Sequence, residues 1–183
     1  MDRNKLKVLL ENYRTPFEEE KSSLSDFIQL SDDSSSFFRE SKEGHFTASA
    51  WIVNKRRTHT LLTLHNKLNR WLQLGGHADG NENLLEVAIN EAREESGLSS
   101  LRIVDRFIFD IDKHLIPAFE DVEEHFHYDI RFLIEAEMDE PLTISSESKD
   151  LAWISFDSVA DIVRHNTSIM RMLEKTSKSE ILL

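Results

Sequence analysis

The chain begins with two stretches whose apolar residues recur at helical spacing. In the first stretch the pattern i, i+3, i+4, i+7 is met by Leu6, Leu9, Leu10 and Tyr13. A second helix is predicted from Pro16 onward, because proline is tolerated in the first turn of a helix. A polar loop over residues 32–36 follows it. The pattern therefore predicts a helical extension over residues 1–40 that packs on a main domain over residues 41–183.

Beyond residue 44 the apolar pattern changes to short strand-like runs separated by polar turns. The predicted strands cover residues 45–53, 60–64, 71–74, 101–111, 126–136 and 151–154. Helical stretches are predicted over residues 83–96, 157–164 and 168–175. Strands and helices mix without regular βαβ alternation, which favours an α+β fold with a mixed sheet between helices.

Composition and charge narrow the classes of function. Among 183 residues, 22 Lys and Arg stand against 34 Asp and Glu, so the formal net charge is −12. A general nucleic-acid binder or a protein of anionic membrane surfaces needs a basic face, so neither is expected. The absence of cysteine excludes disulfides, thiolate zinc sites and thiol nucleophiles. No apolar run approaches the roughly 20 residues of a membrane span, and the N-terminus lacks the apolar stretch of a signal peptide. A cytoplasmic globular protein is the expectation.

Glycine is concentrated around one predicted helix. The chain has 5 glycines, and four of them lie just before or just after residues 83–96: Gly75, Gly76, Gly80 and Gly97. Asn83 is a natural N-cap, and Glu86 three residues later completes a capping box. Gly97 is a natural left-handed end of the helix. Apolar residues on one face are expected to pack on the sheet: Leu85, Ile89 and Ala92.

Another face of this helix carries three carboxylates. Glu91, Glu94 and Glu95 lie at i, i+3 and i+4, where each like-charge pair costs a helix about 0.2–0.5 kcal/mol. A solvated surface is the ordinary explanation of such a run. The neighbouring glycine turns favour a second explanation, which is a site for a hard cation such as Mg²⁺. This ion is commonly held by one or two carboxylates together with substrate phosphates.

The same segment resembles the Nudix box, whose pattern is G-x5-E-x7-R-E-U-x-E-E-x-G-U, where U is apolar. Six fixed glycine and glutamate positions match at full spacing: Gly76, Glu82, Glu91, Glu94, Glu95 and Gly97. Asn90 stands where the family has an arginine that supports the glutamates electrostatically. Arg93, about one turn later, is the candidate to replace this arginine. Helical geometry, however, places its side chain on a different side of the helix from position 90.

The resemblance covers roughly residues 37–157. Over this range the chain is similar to a bacterial, MutT-type subgroup of Nudix hydrolases. It includes residues 44–51, the turn Gly-Gly-His-Ala-Asp-Gly at 75–80, and residues 125–133. What it implies is an α/β/α sandwich with a mixed sheet. It also implies cleavage of a small-molecule diphosphate linked to another group, with Mg²⁺ or Mn²⁺ as cofactor. A homodimer is common among similar proteins.

The resemblance assigns roles to individual residues. The backbone carbonyl of Gly76 would bind metal, and Glu94 and Glu95 would be carboxylate ligands. Glu91 would be a ligand or the general base. Glu147, in a polar loop six residues before Trp153, is the competing candidate for the base.

Further candidates lie beside the box and on a later strand. Side chains that share one face of the strand are His125, His127, Asp129 and Arg131. They form either a merely polar sheet face or a substrate-facing wall, with Arg131 meeting a phosphate or carboxylate and His127 beside it. A 2-His-1-carboxylate iron site is a third, weaker alternative. Next to Gly76, His77 and Asp79 are expected to orient ligands, although Asp79 followed by Gly80 also suits a turn.

Two alternatives to hydrolysis follow from the same resemblance. A Nudix-fold nucleotide-binding or regulatory module with weak turnover is favoured by Asn90 and disfavoured by the intact glutamates. An isopentenyl-diphosphate isomerase of the same fold implies a catalytic cysteine, which the chain lacks. Nucleotide sugars, dinucleotides, oxidised nucleoside triphosphates and coenzyme A all remain open as substrates.

Overall fold

A computed structural model describes residues 1–41, 44–118, 122–163 and 166–179. The chain forms two compact units, each made of three segments. Unit 1 comprises Met1–Ser49, Gly75–Ala88 and Arg106–Phe132, and unit 2 comprises Ala50–Leu74, Ile89–Asp105 and Leu133–Leu183. Among the described residues, no helix is long and apolar enough to cross a membrane.

Along the described residues, two α-helices precede four strands, a third α-helix separates these from four further strands, and two α-helices follow. The helices are α1 (Arg3–Glu11), α2 (Glu18–Leu30), α3 (Leu84–Ser96), α4 (Phe156–Val163) and α5 (Thr167–Ser179). The strands are β1 (Gly44–Asn54), β2 (His59–His65), β3 (Trp71–Leu72), β4 (Leu74–His77), β5 (Arg102–Ile103), β6 (Asp110–Ile116), β7 (His125–Ala136) and β8 (Ser148–Ser155). They form one mixed sheet in which β3, β2, β1, β7 and β5 are successive neighbours, while β4 pairs with β1, β6 with β7 and β8 with β2. The predicted fold class is confirmed.

In unit 1 the N-terminal helices pack on the apolar face of the sheet. The ring of Phe27 meets that of Tyr128 edge-on, with centroids 5.1 Å apart. Glu20 is fully buried and accepts hydrogen bonds from the Tyr13 hydroxyl at 2.6 Å and from the Ile111 N–H at 3.1 Å. The expected packing of the extension is therefore observed. The division into residues 1–40 and 41–183 stays a prediction.

Unit 2 has an apolar core of its own beneath the second half of α3. The fully or nearly fully buried residues of this core are Ala50, Ile52, Leu61, Leu74, Ala92, Leu98, Ile134, Ala136 and Leu151, with Ile89 packed against them. Trp51 is completely buried elsewhere in this unit, and its indole N–H donates to the Thr176 hydroxyl at 2.8 Å.

The structure corrects several expectations drawn from the sequence. Residues 71–74 do not form one strand, because β3 pairs with β2 while β4, which begins at Leu74, pairs with β1. Residues 101–111 do not form one strand, because Ile103 pairs with Ile134 and Asp110 with Arg131. Residues 104–109 thus lie opposite only two residues of β7 and leave the ladder as a loop. The segment 32–36 is also not wholly irregular, since a 3-10 helix spans Ser34–Phe37. The predicted end of α4 at Arg164 lies outside the described residues.

Candidate active site

Helix α3 begins and ends where the sequence predicts, although its first turn is bonded differently. Asn83 precedes the helix, but its side-chain amide donates to the Glu86 carboxylate at 2.9 Å and its N–H donates to Asn81 Oδ1 at 2.9 Å. The expected capping box is thus replaced by a pair of side chains. At the other end Gly97 has a φ of +74°, and a Cβ there would lie 2.8 Å from the Thr143 hydroxyl oxygen.

The three glutamates of the box project from the last turns of α3. Glu94 is exposed, while Glu91 and Glu95 are half-buried. Because α3 ends at Ser96, Glu94 and Glu95 lie at the end of the helix where the macrodipole is negative, which is unfavourable for anions. Their mutual repulsion adds to this cost. A cation beside them would offset both, and carboxylate oxygens are the donors that Mg²⁺ and Mn²⁺ accept.

The glycine pair before the helix belongs to strand β4 in unit 1. A Cβ on Gly75 would lie 2.6 Å from the Ala48 carbonyl oxygen of β1, so only glycine fits this close approach of two strands. The pairing of β4 with β1 continues to Ala78, whose N–H donates to the Phe46 carbonyl at 3.2 Å. This strand pairing fixes the positions of Gly76 and His77.

One face of the sheet in unit 1 is polar along three strands. The predicted alternation on β7 is confirmed, since contacts join His125 with His127 and Asp129 with Arg131, while Tyr128 contacts Phe27. The other contributors to this polar face are His45, Thr47 and Ser49 of β1 and Asp110, Asp112 and His114 of β6.

Arg131 is surrounded by three carboxylates within this face. Its Nε donates to Asp129 at 2.7 Å, its Nη1 donates to Asp110 at 3.1 Å, and its Nη2 lies 3.2 Å from Asp112. Burial alone favours loss of the proton, but Asp112, Asp129 and Asp110 outweigh it and raise the pKa of Arg131. The guanidinium is buried at 2 % exposure, so these contacts support the interpretation of a polar, structural sheet face. Substrate binding by Arg131 stays a prediction.

Histidines occupy the other end of the polar face. The donor nitrogens of His45, His77 and His127 all lie within 4.8 Å of one another. His125 stacks on His45 with ring centroids 5.0 Å apart, and its Nε2 lies 3.3 Å from Nε2 of His127. His114 Nδ1 lies 3.2 Å from the Asp112 carboxylate, and the His114 ring meets that of His127 at 5.4 Å. Four strands thus bring five histidines together.

Burial and repulsion between imidazoles lower the pKa of two of these histidines. Burial, followed by repulsion from His77 and His125, lowers the pKa of His45 to about 4. Burial, followed by repulsion from His77 and His45, lowers the pKa of His127 to about 2. A neutral imidazole has one ring nitrogen with a lone pair, which makes it a hydrogen-bond acceptor and a metal ligand at neutral pH.

Asp79 and Glu147 lie in exposed segments. Asp79 accepts two hydrogen bonds from Arg39, at 2.5 and 2.6 Å, and these bonds hold the pKa of its carboxyl below its usual value. Its φ of +46° fits the turn that precedes Gly80. Glu147 comes directly before β8, and its carbonyl accepts from the Asn66 N–H at 2.8 Å.

The predicted site residues fall into groups. Glu91, Glu94 and Glu95 share α3, and Glu147 lies in the same unit. His77 and His127 meet in the histidine cluster of unit 1, whereas Arg131 lies in the carboxylate cluster.

The iron-site alternative is not supported in its predicted form, because Asp129 bonds Arg131 and two hydroxyls while the histidines face His45 and His77. His45, Asp110 and Asp112 also belong to this polar face, although they are not among the residues predicted from the sequence. Their alternation along two strands was the available signal.

Comparison with known families decides the assignment. A family model described as the NUDIX domain matches residues 44–173. The chain belongs to the Nudix family. No curated protein matches the Nudix chain by sequence.

Several solved structures resemble this Nudix protein over most of their length. An Ap4A hydrolase from C. elegans has a TM-score of 0.58 at 17% identity, covering 75% of this chain and 98% of its own. A Nudix-family hydrolase from Clostridium perfringens has a TM-score of 0.56 at 27% identity, covering 73% and 96%. A MutT protein from Methanosarcina mazei Go1 has a TM-score of 0.56 at 18% identity, covering 76% and 97%. This Nudix protein is therefore a hydrolase of phosphorus-containing acid anhydrides, and hydrolases of its family use divalent metals.

Proposed function

We propose that this Nudix protein is a Mg²⁺- or Mn²⁺-dependent pyrophosphohydrolase that cleaves a small-molecule diphosphate linked to another group. The observation that carries the proposal is the carboxylate cluster Glu91, Glu94 and Glu95 at the negative end of α3. These oxygens would hold the cation, and the family resemblance adds the Gly76 carbonyl as a further proposed ligand. The bacterial, MutT-type subgroup with the turn at residues 75–80 belongs to the same proposal.

The donor set fits a hard divalent cation. The three side chains supply carboxylate oxygens only, which suits Mg²⁺ or Mn²⁺ better than a soft ion. When bound, such a cation supplies charge neutralisation for the phosphate oxygens and a more acidic water. Fixed carboxylates on a regular helix hold their positions before substrate arrives, because their backbone is ordered by the helix itself and by the core beneath Ala92.

A glutamate of the chain would move the proton. In the proposed reaction the oxygen of a water molecule bonds to one phosphorus, the bond from that phosphorus to the bridging oxygen breaks, and the water's proton passes to a carboxylate. Glu91 and Glu147 are the two candidates for this base. Glu91 is half-buried on the helix, and Glu147 is exposed in the loop before β8. Substrate contacts are proposed for His77, Asp79, His127 and Arg131.

A screen of diphosphate compounds for hydrolysis would identify the substrate class. The panel contains nucleotide sugars, dinucleotides, oxidised nucleoside triphosphates and coenzyme A, each tested with Mg²⁺ and with Mn²⁺. A dinucleoside tetraphosphate belongs in the panel because one similar structure is an Ap4A hydrolase. We expect metal-dependent release of phosphate-bearing products from at least one class. Turnover that a chelator leaves unchanged would contradict the proposal.

A weakly catalytic nucleotide-binding or regulatory module is the second candidate. Asn90 favours it, since this exposed residue replaces the arginine of the family pattern. Saturable binding of a nucleotide without turnover across the panel would support this second function.

A further inference from the structure

We propose that His45, His77 and His127 form a second metal site, selective for a transition-metal ion such as Zn²⁺ and separate from the glutamates of α3. All three residues lie in unit 1, on β1, β4 and β7. The proposal does not depend on the hydrolase activity.

The first argument is the state of His45. Its side chain is only 2% exposed, and neither Nδ1 nor Nε2 has a hydrogen-bond partner. A buried polar group without a partner is costly, so native structures rarely contain one. Its ring contacts those of His77 at 5.1 Å and His127 at 4.7 Å. A metal ion bound to one of its nitrogens would supply the missing partner.

The second argument is distance. The three donor atoms lie within 4.8 Å of one another. In a tetrahedral site with Zn–N distances of about 2.0–2.1 Å, ligand nitrogens are about 3.3 Å apart. The donors therefore need to approach by about 1.5 Å at most. Rotation of the imidazole rings about their side-chain bonds would have to supply this approach.

The third argument is the chemistry of the donors. Imidazole is a borderline ligand that suits Zn²⁺, Co²⁺, Ni²⁺ and Cu²⁺, whereas Mg²⁺ takes oxygen. Each imidazole would bind the ion through the lone pair of a ring nitrogen that carries no proton. Three histidine ligands leave a fourth position of a tetrahedral ion open to water or a substrate atom. The glutamates of α3 would thus bind Mg²⁺ or Mn²⁺, whereas the three histidines would bind a transition-metal ion such as Zn²⁺.

Neighbouring groups would support the ligands. His125 stacks on His45 and contacts His127, which places a fourth imidazole beside the site. Asp112 contacts His114, whose ring packs edge-on against His127.

The test is metal binding by the full-length protein after removal of metal with a chelator. Calorimetric titration with ZnCl₂ is performed in excess Mg²⁺, and Co²⁺ is added separately so that its visible absorption reports the ligand geometry. We expect one Zn²⁺ per chain that Mg²⁺ does not displace, and a Co²⁺ spectrum of tetrahedral type.

Variants locate the bound ion. His77→Gln and His127→Gln should each weaken Zn²⁺ binding by more than the roughly 10- to 100-fold that loss of an outer partner costs. His59→Gln, on β2 in unit 2, is the matched control and should bind as the parent does. Circular dichroism and thermal unfolding of the metal-free variants establish that they are folded. If His127→Gln fails to fold, the half-buried His77 carries the test.

Two results would overturn the proposal. One is a parent protein that binds no Zn²⁺ in the presence of Mg²⁺, or folded His77→Gln and His127→Gln variants that bind it unchanged. The other is loss of Zn²⁺ binding in a Glu94→Gln/Glu95→Gln variant, which would place the ion on α3. Because every readout is binding, absence of the histidine site leaves the hydrolase proposal standing, and an inactive enzyme leaves the histidine site standing.

Discussion

Arg131 donates a hydrogen bond from Nε to Oδ2 of Asp129 at 2.7 Å, and both side chains are almost completely buried on β7. The same carboxylate accepts hydrogen bonds from the Ser49 hydroxyl at 2.9 Å and the Thr47 hydroxyl at 3.1 Å. The pair therefore joins β7 to β1, while Asp110 and Asp112 join Arg131 to β6. Ionic and hydroxyl groups hold these three strands together on the polar face.

Replacement of Arg131 should destabilise the fold. Arg131→Met leaves three carboxylates facing one another without their cation, and breaking a buried pair costs about 3–5 kcal/mol. Urea unfolding monitored by circular dichroism measures the loss. Lys21→Met, which removes an exposed ammonium from the exposed Glu18 carboxylate, is the control and should cost about 1 kcal/mol or less. If Arg131 serves only the substrate, its replacement will raise KM and leave the free energy of unfolding unchanged.

Removal of one carboxylate from the box should abolish most of the activity. Glu95→Gln keeps the shape of the side chain and removes the charge that would hold the cation. We expect kcat to fall by orders of magnitude, since losing one electrostatic group of an active site commonly costs about 10²–10³. Glu86→Gln, on the first turn of the same helix, is the control and should retain activity. An unchanged kcat in folded Glu95→Gln would refute the assignment of this glutamate.

Metal should stabilise the protein through the same carboxylates. A ligand that binds the native state alone raises stability by mass action. We therefore expect the Tm to rise with millimolar Mg²⁺ or Mn²⁺, measured by scanning calorimetry. The triple variant Glu91→Gln/Glu94→Gln/Glu95→Gln should show no such rise in Tm. An equal rise in parent and variant would place the stabilising cation elsewhere.

The uncharged residue at position 90 should weaken the affinity of the enzyme for its metal ion. A fixed arginine would lower the repulsion among the glutamates, whereas Asn90 carries no charge. Asn90→Arg should thus lower the apparent activation constant for Mg²⁺ and raise activity at low metal concentration. Steady-state rates over a metal titration give both constants, and Asn90→Gln serves as the uncharged control. Identical constants for Asn90→Arg and the parent would show that the missing arginine has no part in metal affinity.

The metal-free protein should lose stability in mild acid because of His45. Its pKa is 6.5 when unperturbed and about 4 in the fold. Between those values the unfolded chain binds more protons than the native one, so stability falls as the pH drops from 6.5 to 4. The groups that face the ring are His77 from β4, His125 and His127 from β7, and Arg39 and Asp79.

Urea unfolding in chelator across this pH range measures the slope. His45→Phe keeps a planar ring that takes no proton, so its stability should fall less steeply with acid. A parent protein and a His45→Phe variant with the same slope would show that protonation of His45 is not the cause of the acid sensitivity.

The sequence by itself determined the helix with its glutamates, the positions of β1, β2, β7 and β8, and the family. These are local properties: a glutamate at i, i+3 and i+4 shares a helix face whatever surrounds it, and spacing along the chain carries the match to the Nudix box. The alternation along β7 likewise placed His127, Asp129 and Arg131 on one face before any contact was known.

Tertiary structure decided what those faces contain. His45, His77 and His127 are separated by 32 and 50 positions in the sequence, and only the pairing of β4 with β1 and the antiparallel sheet bring their nitrogens within 4.8 Å. Arg131 is held by Asp110 and Asp112 of β6. The sequence pattern predicted one continuous strand over residues 101–111 and did not reveal this pairing. Strand pairing depends on register between distant segments, and a register is set by cooperative burial of whole faces and not by any local pattern.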